Sequence, residues 1–162
     1  MSGERIAVLF VCTGNICRSP TAEAVFRKLA KGAGLGELTL AGSAGTHGYH
    51  VGEAPDLRAQ AAAARRGYDL GGLRARKLER GDFDRFDLLL AMGRDHYSIL
   101  QSMERNSSTS KVRLVMSYAR RFLEQEVPDP YYGGAQGFER VLDMLEDASQ
   151  GLLESLKGSA LR

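Results

Sequence analysis

The chain has 162 residues and a formal charge of +2, long enough to bury a core without disulfides or a metal and too nearly neutral to argue for nucleic acid or a membrane surface as a partner. With 43% apolar and 26% charged residues, it has the composition of a folded globular protein, not a disordered one. No stretch approaches the roughly 20 apolar residues that span a bilayer, and the length fits one domain over residues 1–162.

The early Glu4 and the short apolar run of "MSGERIAVLFVC" suit a first strand and not a secretory signal, so a cytoplasmic location is expected. "RIAVLFVC" reads as a strand buried on both faces. After a loop, Ser19 is expected as N-cap and Pro20 as first helical residue. Ala22, Val25, Phe26 and Leu29 then recur at helical spacing until "KGAGLG" stops the helix. "LTLAGSAGT" is a second strand, and "APDLRAQAAAARRGYDL" a second helix with Asp56 near its start and Gly67 at its end. "FDLLLAMG" is a third strand, with a helix expected over about Asp95–Met103. "KVRLVMSYA" is a fourth strand, and a long helix is expected over about Gln136–Leu156, with Phe138, Val141, Leu142, Leu145 and Leu152 on one side. Strands alternating with helices predict an α/β sandwich on a mostly parallel sheet. "ERNSSTS" is expected as a mobile loop, and "EVPDPYYGGAQG" as irregular structure.

The only two cysteines, Cys12 and Cys17, share the opening loop, so they make no disulfide framework. His47, His50 and His96 lack the spacing of metal ligands. Basic clusters such as "LRARKLERG" and "ARRF" are interleaved with acids or apolar residues and read as solvated faces. In parallel sheets ligands bind where strand C-termini meet helix N-termini, and "CTGNICRS" lies at such a place. Three readings are open there: a reactive thiol over an anion site, a cofactor loop, or a tight turn with a buried cysteine. A loop running from strand end to helix start turns successive N–H groups inward as an anion nest, which the helix N-terminus reinforces. A thiol beneath such a nest is favoured as the thiolate, the nucleophilic form. Arginine, unlike lysine, offers a planar fork that matches two phosphoryl oxygens.

"VCTGNICRSP", with its Cys, five residues and Arg-Ser, resembles the active-site loop of the low-molecular-weight protein tyrosine phosphatases. "SAGTHGYHVGEAPDLRA", "RARKL" with "DFDRFDLLLAM", and "VPDPYYGG" resemble further blocks of that family, in its order and over nearly the whole chain. The resemblance implies a three-layer α/β sandwich, flavodoxin-like or Rossmann-like, around a four-stranded parallel sheet of order 2-1-3-4. It implies hydrolysis of phosphotyrosine and small aryl phosphates through a phosphocysteine on Cys12. Arg18 would be the phosphate clamp, Ser19 the hydroxyl that steadies the thiolate, and Asp129 the general acid and base. Thr13, Gly14, Asn15, Ile16 and Cys17 would line the cradle, with Asn15 holding its shape. Tyr49, Tyr131 and Tyr132 would be the aromatic walls of a slot deep enough to select aryl phosphates. Cys17 would capture an oxidised Cys12 as a reversible disulfide. No cofactor or metal is implied. The expected partner is a tyrosine-phosphorylated protein, with phosphate and other oxyanions as inhibitors. A monomer is expected, with weak self-association through the Tyr131–Tyr132 surface.

Two positions depart from the family. Leu73 and Gly93 stand where it often has a histidine and an aspartate, a pair expected to touch behind the loop; losing both together avoids stranding one polar partner. His47 and His50 are expected at the rim, without a catalytic role. Four alternatives compete. A protein-arginine phosphatase is disfavoured by the apolar Ile16. A thioredoxin-coupled arsenate reductase needs cysteines downstream of Cys17, and there are none. A flavodoxin-like FMN-binding electron carrier is usually acidic and stacks a tryptophan on the flavin, which this chain lacks. An inert anion-binding module would tolerate loss of Cys12, Arg18 or Asp129, and all three are present.

Overall fold

The structure, a computed structural model, describes residues 5–105, 109–131 and 133–160. Strand β1 (Ile6–Cys12) lies at its centre. It pairs in parallel with β2 (Thr39–Gly45) on one side and β3 (Leu88–Ala91) on the other, and β3 pairs with β4 (Val112–Leu114), giving the order β2-β1-β3-β4. The continuous apolar run of β1 is explained by its two covered faces. Val8, Phe10 and Cys12 face one cluster with Ala22, Phe26 and Ala30 of α1 (Arg18–Gly32) and Val141, Met144, Leu145 and Leu152 of α5 (Ala135–Ala160). Leu9 and Val11 face the opposite cluster with Leu100 of α4 (Arg94–Met103), against which Phe83 of the short α3 (Asp82–Arg85) also packs. Helix α2 (Leu57–Ala64) lies beside α1 and α5, burying Ala59, Ala62 and Ala63 against Val25, Phe138 and Leu142. Phe10 and Phe26 are fully buried and meet at 5.8 Å, each stabilising the fold by about 1.5–3 kcal/mol through burial.

This is the three-layer, 2-1-3-4 parallel arrangement expected from the sequence. The element ends differ in instructive ways. Helix α1 begins at Arg18 with Cys17 at the cap position, and no side chain caps it. Ser19 is therefore not the N-cap; its hydroxyl is taken up inside the loop. Pro20 sits third in the helix, still within the first turn, where no intrahelical N–H is needed. Helix α2 stops at Ala64, with Asp56 as its N-cap accepting from the Arg58 N–H at 2.8 Å. The fourth strand is only three residues long, because Val115–Tyr118 winds into a 3-10 turn that buries Val115 and Met116. The turn α3 was not foreseen. Of the expected mobile loop, Asn106, Ser107 and Ser108 lie outside the described residues.

The chain leaves β1 towards β2 and then returns across the sheet to β3. The direction of winding thus reverses between β1 and β3, the place where parallel α/β sheets open a crevice at their C-terminal ends. Two segments border that crevice: the loop after Cys12 and the first turn of α4.

Candidate active site

The Cys12–Arg18 loop is held from outside by its carbonyl oxygens. Cys12 O accepts from the Thr46 N–H (2.9 Å), Thr13 O from His47 (3.0 Å), Ile16 O from Asp56 (2.9 Å), and Cys17 O from the Thr21 hydroxyl (2.6 Å). With these carbonyls turned outward, no described residue accepts from the amides of Thr13, Gly14, Ile16 or Cys17, while the Asn15 N–H donates to Cys12 Sγ at 3.3 Å. The loop lies so close to the end of β2 that a Cβ at Gly45 would stand 2.6 Å from Thr13 O, so only glycine fits there.

A chain of side-chain bonds ends on the sulfur. The Arg76 N–H donates to Asn15 Oδ1 (3.0 Å), which fixes the orientation of the Asn15 amide. Asn15 Nδ2 then donates to Ser19 Oγ (2.8 Å). With its oxygen accepting, the Ser19 hydroxyl has its own proton available for Cys12 Sγ, 2.9 Å away. Asn15 makes these bonds from a left-handed backbone, φ 59°, which asparagine tolerates better than most residues. Both Asn15 and Ser19 are buried, so the donors act on sulfur without competition from bulk water.

Arg18, 8% exposed, spans the space between loop and facing wall. Its Nη1 donates to Val127 O at 3.2 Å and its Nη2 lies 3.6 Å from Asp129 Oδ2. The Asp129 carboxylate is partly exposed, and its Oδ1 accepts from the Tyr131 N–H at 3.0 Å. Arg58 at the start of α2 holds Tyr131 from the other side, donating to its carbonyl at 2.9 Å and lying over its ring at 5.4 Å. Hydrogen bonds from that guanidinium hold the Asp56 carboxyl below its usual range, against the opposing effect of burial.

Together these groups enclose a cleft of about 210 Å³ lined by Cys12, Thr13, Gly14, Ile16, Cys17, Arg18, Tyr49, His50, Asp129 and Tyr131. That is smaller than the usual drug-sized pocket and suits a phosphoryl group with one ring. Nearly every residue singled out in the sequence is thus brought to one place; Tyr132 lies outside the described residues. Tyr49 is largely exposed and stacks on His47 at 5.1 Å. His50 stands closer in than expected, its Cδ2 only 2.9 Å from where a Gly14 Cβ would be, with its ring 6.5 Å from that of Tyr131. Leu73 packs, partly buried, against the apolar cluster shared by α1, α2 and α5, and a Cβ at Gly93 would meet Glu126 Oε2 at 2.9 Å and His96 Nδ1 at 3.7 Å. Glu126, in the loop that carries Asp129, supplies the carboxylate that caps α4, accepting from the Arg94 N–H at 2.8 Å.

Burial, reinforced by the charges of Asp56, Cys12 and Asp129, pushes the Cys17 thiol up to about 12. Cys17 is therefore a neutral thiol at neutral pH. Sequence reasoning gave no role to Val127, Arg76 or Arg58, although each lies in a block that resembles the family, because their roles are backbone contacts or tertiary pairings. It also missed His96, whose Nε2 lies 2.8 Å from Thr13 Oγ1. Among the described residues, no group of three or more His, Cys, Asp or Glu is placed to hold a metal ion.

Comparison with known proteins agrees with the geometry. Residues 7–161 match the family described as low molecular weight phosphotyrosine protein phosphatase. The chain is 48% identical over 155 residues to a low molecular weight protein-tyrosine-phosphatase of Streptomyces coelicolor, covering 93% of each chain. It is 42% identical over 154 residues to a low molecular weight phosphotyrosine protein phosphatase of Schizosaccharomyces pombe, covering 94% of this chain and 98% of that one. A crystal structure of protein tyrosine phosphatase from Entamoeba histolytica, with Hepes in its active site, superposes with a TM-score of 0.92 at 40% identity, covering 95% of this chain and 98% of that one. With a carbonyl-braced loop around a cysteine, an arginine across the cleft and this degree of likeness over nearly its whole length, the chain belongs to the low molecular weight phosphotyrosine protein phosphatase family.

Proposed function

We propose that the protein hydrolyses phosphotyrosine in proteins, and small aryl phosphates, through a phosphocysteine formed on Cys12. The observation that carries this reading is the placement of Cys12 Sγ. It accepts from the Asn15 N–H and lies beside the Ser19 hydroxyl, in a cleft whose walls also carry Arg18 and Asp129. The phosphoryl oxygens would occupy the amides of the loop and the fork of Arg18, which orients the group for in-line attack. Sγ forms a bond to phosphorus as the bond to the phenolic oxygen breaks, and Asp129 delivers its proton to that oxygen. Water then attacks the phosphocysteine, Asp129 takes one of its protons, and inorganic phosphate leaves with the thiolate restored. Donation from Ser19 and Asn15 supports the sulfur as leaving group in this second half.

Ile16, buried at the cleft edge, with the rings of Tyr131, Tyr49 and His50, supports an aromatic leaving group over a guanidinium. We read the whole chain, 1–162, as one catalytic domain, because every described helix packs on the one sheet or on a helix that does.

The test is phosphate release from a phosphotyrosine peptide under reducing conditions, beside Cys12→Ser and beside a phosphoarginine peptide. Turnover by the wild type, none by Cys12→Ser, and a phosphocysteine trapped by rapid acid quench are the expected results. Activity that survives in Cys12→Ser, or a preference for phosphoarginine, would overturn the assignment.

A further inference from the structure

Thr13 follows the candidate nucleophile directly, and its amide is the first of the loop. Its other polar groups are both held from behind. The carbonyl accepts from the His47 N–H at 3.0 Å, and Oγ1 lies 2.8 Å from Nε2 of His96. His96 stands in the first turn of α4, the second segment bordering the crevice, and is 4% exposed. Its Nδ1 is buried with no hydrogen-bond partner. That orphan atom decides the tautomer. A buried N–H without an acceptor is rarer and costlier than a bare acceptor lone pair, so the single proton resides on Nε2 and is donated to Thr13. A Cβ at Gly93 would stand 3.7 Å from Nδ1, and glycine carries no side chain that could accept from it.

We propose that His96 is a positioning residue for the phosphate cradle: as a neutral imidazole it donates from Nε2 to Thr13 Oγ1 and so fixes the first residue of the loop. The proposal rests on the phosphatase reading of this site. A threonine hydroxyl tied to a buried ring on another element cannot rotate, so the Thr13 amide and side chain keep one orientation when a phosphoryl group arrives. The arrangement also joins the two segments at the crevice, because α4 is in turn capped by Glu126 of the acid loop.

The charges around the ring keep it in this state. Burial, with the Arg18 guanidinium on α1, pushes His96 down to about 4, against Asp95 on its own helix and Glu126 and Asp129 on the acid loop. The imidazole is therefore neutral at neutral pH.

Two substitutions separate this role from simple packing. The amide nitrogen of asparagine matches Nδ1 of histidine and falls short of Thr13, whereas that of glutamine reaches the place of Nε2. With p-nitrophenyl phosphate as substrate and inorganic phosphate as competing ligand, His96→Asn and Thr13→Val should each lower kcat/KM, and weaken phosphate inhibition, by about 10-fold, the effect expected for losing one buried positioning bond. His96→Gln should recover most of the loss. The double variant His96→Asn/Thr13→Val should be no worse than either single variant, since both remove the same bond. The pH profile of His96→Asn should keep its shape between pH 5 and 8, lowered throughout.

Unchanged phosphate inhibition in Thr13→Val, multiplicative losses in the double variant, or loss of a limb near pH 6 in His96→Asn would each overturn the proposal. Thr13→Val is close to isosteric and reports on the bond even if the histidine variants fold poorly, which thermal melting would show. A wild type that binds phosphate but does not hydrolyse the aryl ester would refute the phosphatase reading instead, and the phosphate-inhibition series is then read as direct binding to test the His96–Thr13 bond alone.

Discussion

Arg18 and Asp129 lie 3.6 Å apart across the cleft, and the same guanidinium that approaches the carboxylate also donates to the Val127 carbonyl two residues earlier. One side chain thus faces the cleft and positions the segment that carries Asp129. Asp129→Asn should leave phosphate binding near that of the wild type and lower kcat by about 10²–10⁴, the usual value of a positioned general acid. The loss should be steeper for poor leaving groups, which depend most on protonation. Arg18→Lys should do more: a single ammonium cannot replace a planar fork, so phosphate inhibition weakens and kcat falls together. Steady-state kinetics with a series of substituted phenyl phosphates checks both. A flat leaving-group dependence unchanged in Asp129→Asn would mean that the proton comes from elsewhere.

Asn15 combines two demands that can be separated. Its backbone is left-handed, and its side chain accepts from the Arg76 N–H while donating to Ser19. Glycine meets the first demand and not the second; alanine meets neither. Removing the side chain strands buried partners at a cost of about 1–3 kcal/mol, and alanine adds about 1 kcal/mol for the left-handed backbone. Asn15→Gly should therefore be destabilised in urea melts by about 1 kcal/mol less than Asn15→Ala, with both losing activity. Equal stability would show that the loop relaxes out of this conformation when the side chain is gone.

The sequence made the order of elements, the sheet and the loop legible because each has a local cause: apolar runs, helical spacing, and a cysteine and arginine at fixed separation. What it hid has causes that are not local. Ser19 satisfies the composition of a helix cap, yet the helix begins two residues sooner than that would place it, and its hydroxyl is recruited by Asn15 and Cys12 instead. "KVRLVMSYA" has the residues of a strand, but only Val112–Leu114 pair with β3, and the rest coils under α5. His96 carried no periodic or motif signal; only folding, which lays α4 beside the loop, gives it a partner. Beside Gly93, Glu126 caps α4 by accepting from the Arg94 N–H, a tertiary bond that the sequence does not show.

The two cysteines, five residues apart, should differ sharply in reactivity. Burial and surrounding negative charge push Cys17 up to about 12, so at pH 7 only on the order of 10⁻⁵ of it is thiolate. Iodoacetate should therefore modify Cys12 alone, and inorganic phosphate should protect it. Cys17→Ser should leave the labelling rate unchanged, while Cys12→Ser should nearly abolish it. Both residues fall on one tryptic peptide, so fragmentation within that peptide, or these two variants, makes the assignment. Label on Cys17 at neutral pH would show that the loop opens far enough to solvate it.

Away from the cleft, Asp147 on α5 ties the fold to an ionised carboxylate. Its carboxylate accepts from the backbone N–H groups of Arg120 (3.1 Å), Arg121 (2.9 Å) and Phe122 (3.0 Å), fixing the segment after the 3-10 turn. Burial alone would raise its pKa; the three amides, with the charge of Arg121, outweigh burial and hold the carboxyl below its ordinary value of 3.8. A group bound more weakly by protons in the folded chain than in the unfolded one adds stability at pH values above its unfolded pKa. That contribution declines as the pH falls through that value towards the folded one. The wild type should therefore lose stability between about pH 5 and pH 3. Asp147→Asn, which keeps one accepting oxygen but no charge, should be less stable at pH 7 by roughly 2–3 kcal/mol and show a shallower decline over the same acid range. Chemical denaturation of both proteins at pH 7, 5 and 4 measures this directly. Parallel declines would mean that other carboxylates carry the acid sensitivity and that the three amides find equivalent partners without Asp147.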